Sequence, residues 1–341
     1  MTHYRAQDRV LLTNRALVAV ILLAFCACHR GTGGSASTSP ERFKVALMTP
    51  GPVSDAGWNA AAFEGLQLVK TQLGAETALD QTTSPADFED AFRDFASRGF
   101  DLIFAHGFEY TDTALKVAKL FPNTDFIVTS GSGSSTNVAS LSFKIEEAAY
   151  VEGVLAGGVS KSGVVGAIGG IELPSIRLTF DGFRRGFLAA RPHGRLLVSY
   201  TGSFDDVGAA KEAALAQVSQ GADLLFHNAD AAGLGVFQAA EQAHIYAFGA
   251  NRNQNDVAPD VVLASAVTRI PQAFLKLAGE VKDHSFRPGM LELGMKDGMV
   301  EVVYNQRLIA NIAPAALAAA RQAERDIIDG EVVVPSVPAP R

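Results

Sequence analysis

The chain has 341 residues, 48% of them hydrophobic and 19% charged. At about 150 residues per domain this suggests two domains, and the apolar content excludes disorder as the overall state. Its 29 basic and 36 acidic residues give a net charge of −7, and no Lys/Arg run exceeds Arg184–Arg185. A general nucleic-acid binder needs a basic face for phosphates and is excluded, while two cysteines are too few for a multi-cysteine zinc site or a disulfide framework.

The amino end reads as an address. Residues 1–15 carry Arg5, Arg9 and Arg15 against Asp8, residues 16–28 carry no charge, and a Gly/Ser/Thr-rich stretch follows. This order of charged, apolar and small residues is that of a secretory signal. The apolar run is too short to cross ~30 Å of hydrocarbon as a helix. A short membrane anchor is the rival reading. The run Ala24-Phe25-Cys26-Ala27-Cys28 resembles a bacterial lipoprotein signal, which needs a small residue just before the lipidated cysteine. Ala27 supplies it for Cys28 and Phe25 does not for Cys26, although Leu23 and Ala24 suit Cys26 at the earlier positions. Cys28 is the expected lipidation site, after a signal peptide over 1–27, and 28–42 is a flexible tether.

From Phe43 onward, apolar runs alternate with helical patterns. Strands are expected at 43–49, 101–105, 126–130 and 138–143, and helices at 58–73, 85–97, 113–120 and 146–159. A second round begins at Gly163, with strands at 164–170, 196–200, 223–227, 245–250 and 261–267 and helices at 174–190, 209–220 and 233–243. Such alternation implies parallel sheets covered by helices on both faces, in two similar α/β lobes. Residues 291–305 read as a hairpin turning at Asp297-Gly298, 315–329 as a terminal helix and 332–341 as a Pro-rich tail.

Ligands of open parallel sheets bind beyond the carboxyl ends of the strands. That rule selects 49–59, 106–110 and 130–135 in the first lobe, and 169–171, 201–206, 227–230, 251–253 and 268–269 in the second. Within them, Trp58 is the sole tryptophan, and Phe204 sits in the corresponding loop of the second lobe. Two such aromatics could clamp a flat ligand, or each could close over its own core. His106 and His227 each follow a strand and could donate or accept in the cleft, or be satisfied structural histidines. The seven histidines are scattered without HExxH or i,i+4 spacing, so no metal is expected. Ser130-Gly131-Ser132-Gly133-Ser134 lacks the spacing of a nucleophile elbow. Residues 163–170 have G-x-x-G-x-x-G rather than dinucleotide spacing, and no Walker lysine is present. No catalytic residue and no cofactor is expected.

Specific runs then resemble one family. Tyr200–Asp206 (YTGSFDD), KEAALAQVSQGADLLFH, AGLGVF, VSDAGWN followed by EGL, SFKIEEAAYVEGVLAG and GAIGGIELPSIRLTFDGFRRGF look like the basic membrane protein family, the substrate-binding lipoproteins of ABC importers related to the purine nucleoside receptor A type. The resemblance covers about 43–305. It implies a two-lobed type I periplasmic-binding-protein fold, an α/β architecture in which each lobe is a parallel sheet flanked by helices. The first lobe is expected over 43–145 plus about 269–285, the second over 146–268 plus about 286–330, and a tail over 331–341. A solute is expected between lobes that close over it, with Asp55, Trp58, Asn59, His106, Ser130, Phe204, Asn228, Asn251 and Thr268 as candidate ligand-binding residues.

At three positions the chain departs from the nucleoside-binding pattern. Ser130 stands where that pattern has an Asp ending the fourth strand, Asn251 where it has an Asp, and Thr268 where it has a Lys. These neutral groups both donate and accept, which favours a neutral, flat, polar solute such as a purine base over an ordinary ribonucleoside. Arg252 and Arg269 are the counterargument, since each lies beside a replaced position and could bind an anion. The expected function is solute capture outside the cytoplasm by a lipid-anchored protein of the cell envelope that delivers to an ABC importer permease and binds no nucleic-acid polymer. The rivals are a ligand-sensing receptor of the same fold and a hydrolase.

Overall fold

The computed structural model describes residues 42–54, 57–82 and 84–336. The expected signal peptide, Cys28, almost all of the tether, Asp55 and the end of the tail lie outside the described residues. Along the chain run β1 (Lys44–Thr49), α1 (Trp58–Leu73), β2 (Glu76–Gln81), α2 (Pro85–Ser97), β3 (Leu102–His106), α3 (Thr111–Ala118), β4 (Asp125–Thr129), β5 (Val138–Phe143) and α4 (Ile145–Val159). Then follow β6 (Val164–Gly169), α5 (Pro174–Ala190), β7 (Arg195–Tyr200), α6 (Val207–Ser219), β8 (Leu224–Asn228), α7 (Gly233–Ala243), β9 (Tyr246–Asn251) and β10 (Val262–Thr268). The chain continues through α8 (Ile270–Lys282), β11 (Met290–Leu293), β12 (Val300–Tyr304) and α9 (Pro314–Asp329).

The strands form two sheets. The first has the order β2-β1-β3-β4-β5-β11 and is parallel throughout. The second has the order β7-β6-β8-β9-β10-β12, with β12 alone antiparallel to its neighbour among the described strands. Both faces of each sheet are covered, as the continuous apolar runs require. Along β1, Val45 and Leu47 join Leu66 of α1 and Phe274 of α8, while Ala46 and Met48 join Phe88 and Phe92 of α2 on the other face. That is the period-two alternation of a strand. In the second sheet Val165 and Ala167 pack with α4, α5 and α9, and Ile168 packs with α6 and α7.

Local signals set the helix ends. Ser84 accepts a hydrogen bond from the Ala86 N–H and Pro85 opens α2, while Gly74 ends α1 at φ +65°. Helices α4 and α5 approach so closely that a Cβ at Gly153, Gly182 or Gly186 would strike the backbone of the facing helix.

The expected hairpin over 291–305 does not form. Its turn does: Gly298 takes φ +68°, the Gly298 N–H donates to the Met295 carbonyl, and the Gly294 N–H donates to Asp297 Oδ2. The two arms then part. β11 joins the first sheet beside β5, and β12 joins the second beside β10. Residues 290–293 therefore stand in the first sheet, although 286–330 was expected in the second lobe. An Asp-Gly pair specifies a left-handed turn, not the partner of the strands it connects.

The chain passes between the sheets at 143–145, 268–270 and 293–300. These crossings are laced together: the Lys144 N–H donates to the Leu293 carbonyl and the Arg269 N–H to the Met299 carbonyl. Glu147 Oε2 accepts from the Met295 N–H at 2.7 Å, while Lys144 Nζ lies 3.1 Å from its other oxygen.

Candidate functional site

At the carboxyl end of the second sheet, three of the expected residues meet. Asn251 Nδ2 donates to Asn228 Oδ1 at 3.2 Å, and the Thr268 hydroxyl donates to the Asn251 carbonyl at 3.1 Å. Asn228 Nδ2 in turn donates to Thr179 Oγ1 of α5 at 3.2 Å. Asn228 and Thr268 are buried, and Asn251 is half-buried at φ +68°, a left-handed conformation that asparagine tolerates better than most residues. The ends of β8, β9 and β10 are thus held in one hydrogen-bonded array.

Asp230 belongs to the same array, and sequence reasoning did not single it out. Asn251 Nδ2 also donates to Asp230 Oδ1 at 3.1 Å. Asp230 has φ +45° and is half-buried. It reaches the first lobe: a Cβ at Gly57, the residue before Trp58, would lie 3.2 Å from Asp230 Oδ1. The signal available was its place at the end of the 227–230 segment, directly after a buried strand.

In the first lobe, Trp58 opens α1 and its ring stacks on His106, with centroids 4.2 Å apart and planes inclined by 24°. His106 is fully buried. Its Nε2 lies 3.1 Å from the Trp58 carbonyl and its Nδ1 3.0 Å from Thr129 Oγ1. Burial pushes the imidazole down to about 3, against which the Trp58 carbonyl acts only in part, so the ring is neutral. A carbonyl can only accept, so Nε2 carries the proton and Nδ1 accepts from the Thr129 hydroxyl. Both ring nitrogens are engaged beneath Trp58. His106 thus supports the indole from beneath.

His227 is likewise structural. It is buried, Nε2–H donates to Gln254 Oε1 at 2.9 Å, and Nδ1 accepts from the Ala229 N–H. Burial pushes it down to about 4, although the bond to Gln254 works in the other direction.

The remaining candidates lie at strand ends. Ser130 closes β4 at φ +55°, half-buried, with its N–H donating to the Leu141 carbonyl. Asn59 is half-buried in the first turn of α1, beside Gly51. Phe204 is half-buried with its ring laid over Gly170, where a Cβ would fall 2.6 Å from Cε1 and closer still to Cδ1.

A cavity of about 340 Å³ opens between α1 and the ends of β9 and β10, bordered by Ala61, Glu64, Arg252, Thr268, Arg269 and Gln272. Both arginines are held by carboxylates. Arg252 donates to Glu64 Oε1 across the lobes at 2.7 Å, and Arg269 grips Glu301 with two bonds of 2.9 and 2.7 Å.

A family profile described as ABC transporter substrate-binding protein PnrA-like matches residues 43–337. The chain belongs to this Bmp family. Bmp proteins are non-catalytic substrate-binding components of ABC transporters, so the hydrolase reading is set aside. A purine-binding protein of Brucella abortus is 30% identical over 272 residues, covering 79% of this chain and 77% of its own length. The ABC transporter nucleoside-binding protein BmpA of Lactococcus lactis is 28% identical, covering 94% and 97%. Among solved structures, an ABC transporter solute-binding protein of Aeropyrum pernix superposes with a TM-score of 0.77 at 21% identity, covering 86% of this chain and 94% of its own. One from Conexibacter woesei superposes at 0.70 with 26% identity, covering 86% and 99%. The two-lobed solute-binding fold expected from the sequence is the one observed.

Proposed function

We propose that this Bmp-family protein captures a flat, neutral, polar solute of the purine type, a base or a nucleoside-like molecule, and delivers it to the permease of an ABC importer. The observation that carries the reading is the Asn228–Asn251–Thr268 array, set at strand ends and facing, through Asp230, the loop that bears Trp58. Side-chain amides and hydroxyls both donate and accept, as the edge of a purine does. Trp58 and Phe204 supply flat apolar faces for stacking. Arg252 and Arg269 each bond a carboxylate, which weighs against the anion-binding alternative raised by their sequence positions. The purine-binding and nucleoside-binding relatives support the same solute class.

In this reading the solute bridges the lobes and shifts an open–closed equilibrium by its differential affinity for the closed form. The Arg252–Glu64 pair joins the lobes but is exposed, and contributes only about 0–1 kcal/mol. The solute must supply most of the closing free energy. Lipidation at Cys28 would hold the protein at the outer face of the membrane that carries the permease.

The test uses the sole tryptophan. Adding purine bases and nucleosides should change Trp58 fluorescence saturably, and Trp58→Ala should weaken binding by about 1 kcal/mol or more. A folded Trp58→Ala variant of unaltered affinity would return Trp58 to a lid over its own core.

A further inference from the structure

The hydrogen-bonded array at the ends of β8 and β9 has a direction. It begins in α5, where the Thr179 hydroxyl donates to the Ser175 carbonyl at 2.9 Å. A hydroxyl has one proton, so that bond leaves Thr179 Oγ1 only as an acceptor. Asn228 must present Nδ2 to it, and does so at 3.2 Å. Asn228 Oδ1 is thereby turned the other way, and accepts from Asn251 Nδ2 at 3.2 Å. The second proton of Asn251 Nδ2 goes to Asp230 Oδ1 at 3.1 Å. Both protons of the Asn251 amide are used within the second lobe, and its Oδ1 has no partner among the described residues. The backbone of Asn251 is held as well, by the Thr268 hydroxyl on its carbonyl. Thr179 and Asn228 are buried, while Asn251 is half-buried at the end of β9.

We propose that Thr179 is a positioning residue of the solute site: through Asn228 it turns the Asn251 amide so that Oδ1, and not Nδ2, is offered to the solute, which must bring an N–H or O–H donor to that atom. The proposal rests on the purine-type reading and sharpens it. A solute with only an acceptor at this point would require the Asn251 amide to turn over. Turning would break its bond to Asn228 and set two oxygens against each other, at Asn228 and again at Asp230. Asn228 cannot turn to compensate, because its Oδ1 would then face a Thr179 hydroxyl whose proton is already on Ser175. The orientation is therefore common to all three side chains, and Thr179 fixes it without itself meeting the solute. A site whose polar groups are held this way rejects a solute that lacks the matching donor, because the held group is left unpaired. Purines carry suitable donors, a ring N–H in the free bases and an exocyclic amino group in adenine and guanine.

The test compares wild type with Thr179→Val, which keeps the shape and removes the hydroxyl, and Thr179→Ser, which keeps the hydroxyl. Calorimetry at fixed salt uses adenine, guanine and hypoxanthine, each beside derivatives methylated at a single nitrogen, so that one donor is removed at a time. In wild type, methylation at one position should weaken binding by about tenfold or more. In Thr179→Val that ratio should shrink by about threefold or more, because the Asn251 amide is then free to turn over, and Thr179→Ser should keep the wild-type ratio. The added bulk of the methyl group costs the same in every variant, and a merely structural role would move affinities without moving the ratio. An unchanged ratio in folded Thr179→Val, or purine binding in wild type that no single methylation weakens, overturns the inference and leaves the purine reading standing. A second measurement needs no solute. By NMR, the Asn251 Nδ2 protons, assigned by their loss in Asn251→Asp, should be protected from solvent exchange in wild type and Thr179→Ser and exchange faster in Thr179→Val. If wild type binds no purine, the purine reading fails and the NMR measurement decides. Protection that depends on the Thr179 hydroxyl then sustains the inference, and protons unprotected in wild type, or equally protected in Thr179→Val, overturn it. Thr179→Ala replaces Thr179→Val in both measurements if the valine variant does not fold.

Discussion

Replacing Gly170 by alanine tests whether Phe204 forms one wall of the solute site. The phenyl ring lies over Gly170, and an added Cβ would stand 2.6 Å from Cε1. Ordinary carbon contacts lie near 3.5 Å, so the ring must retreat by about 1 Å or change rotamer. Overpacking of this kind costs about 1–3 kcal/mol of stability, less where the displaced ring is half-buried and can swing outward. If the ring stacks on the solute, its displacement also removes about 0.5–1.5 kcal/mol of stacking, a roughly two- to tenfold rise in Kd. The assay is a double-mutant cycle on solute affinity with Gly170→Ala, Phe204→Ala and the pair. Both singles should weaken binding, and the pair should bind no worse than Phe204→Ala, because Gly170 acts only through the ring. Unchanged affinity in a folded Gly170→Ala variant, or additive losses in the pair, would refute this reasoning.

Other outcomes follow from the same structure. Burial holds His106 down to about 3 and His227 down to about 4, against about 6.5 in the unfolded chain. The folded state then binds fewer protons, so their contribution is complete above about pH 6.5 and fades as pH falls toward 3; His106→Gln should flatten that limb of a denaturation-versus-pH curve. Glu146 behaves oppositely, because burial raises it to about 7. Its folded state holds the extra proton, so stability should decline from about pH 4.5 up through 7, by at most about 3 kcal/mol, and Glu146→Gln should remove the decline. Glu152 is fully buried, and burial raises it well above the ordinary carboxylate value, with the Ala266 backbone acting in the other direction. Burial disfavours its charged form, so Glu152→Gln should change stability by less than about 1 kcal/mol, whereas Glu152→Lys should prevent folding, as read by chemical denaturation. Cys28→Ala should release the protein from the membrane fraction or leave it unprocessed; anchoring that depends on Cys26 instead would overturn the assignment.

Much of the fold was legible because parallel strands buried on both faces must be apolar throughout, and most are. Helices at 58–73, 85–97, 174–190 and 233–243 have the bounds expected from their periodicity and caps. β2 was not foreseen, since Glu76-Thr77-Ala78-Leu79-Asp80-Gln81 is an edge strand with one neighbour and needs no unbroken apolar run. α8 was missed although its signal was present: Ile270, Ala273, Phe274, Leu277, Ala278 and Val281 recur at helical spacing after Pro271 near its start. The strand-end rule found the segments that carry Trp58, His106, Asn228, Asn251 and Thr268. It could not find how they pair. That His106 lies beneath Trp58, that Arg252 bonds Glu64, and that Asp230 faces Gly57 depend on contacts between residues remote in sequence. Such contacts are set by packing and lobe docking, which local pattern does not encode.

The central claim is that the protein binds one purine-type solute, unchanged, between its lobes. Native mass spectrometry of the processed chain, with purine bases and nucleosides added in turn, reads this directly. The account predicts a single adduct per chain whose mass equals the intact solute, present with wild type and diminished in Trp58→Ala. An adduct absent for every purine, or a solute released in chemically altered form, would contradict it.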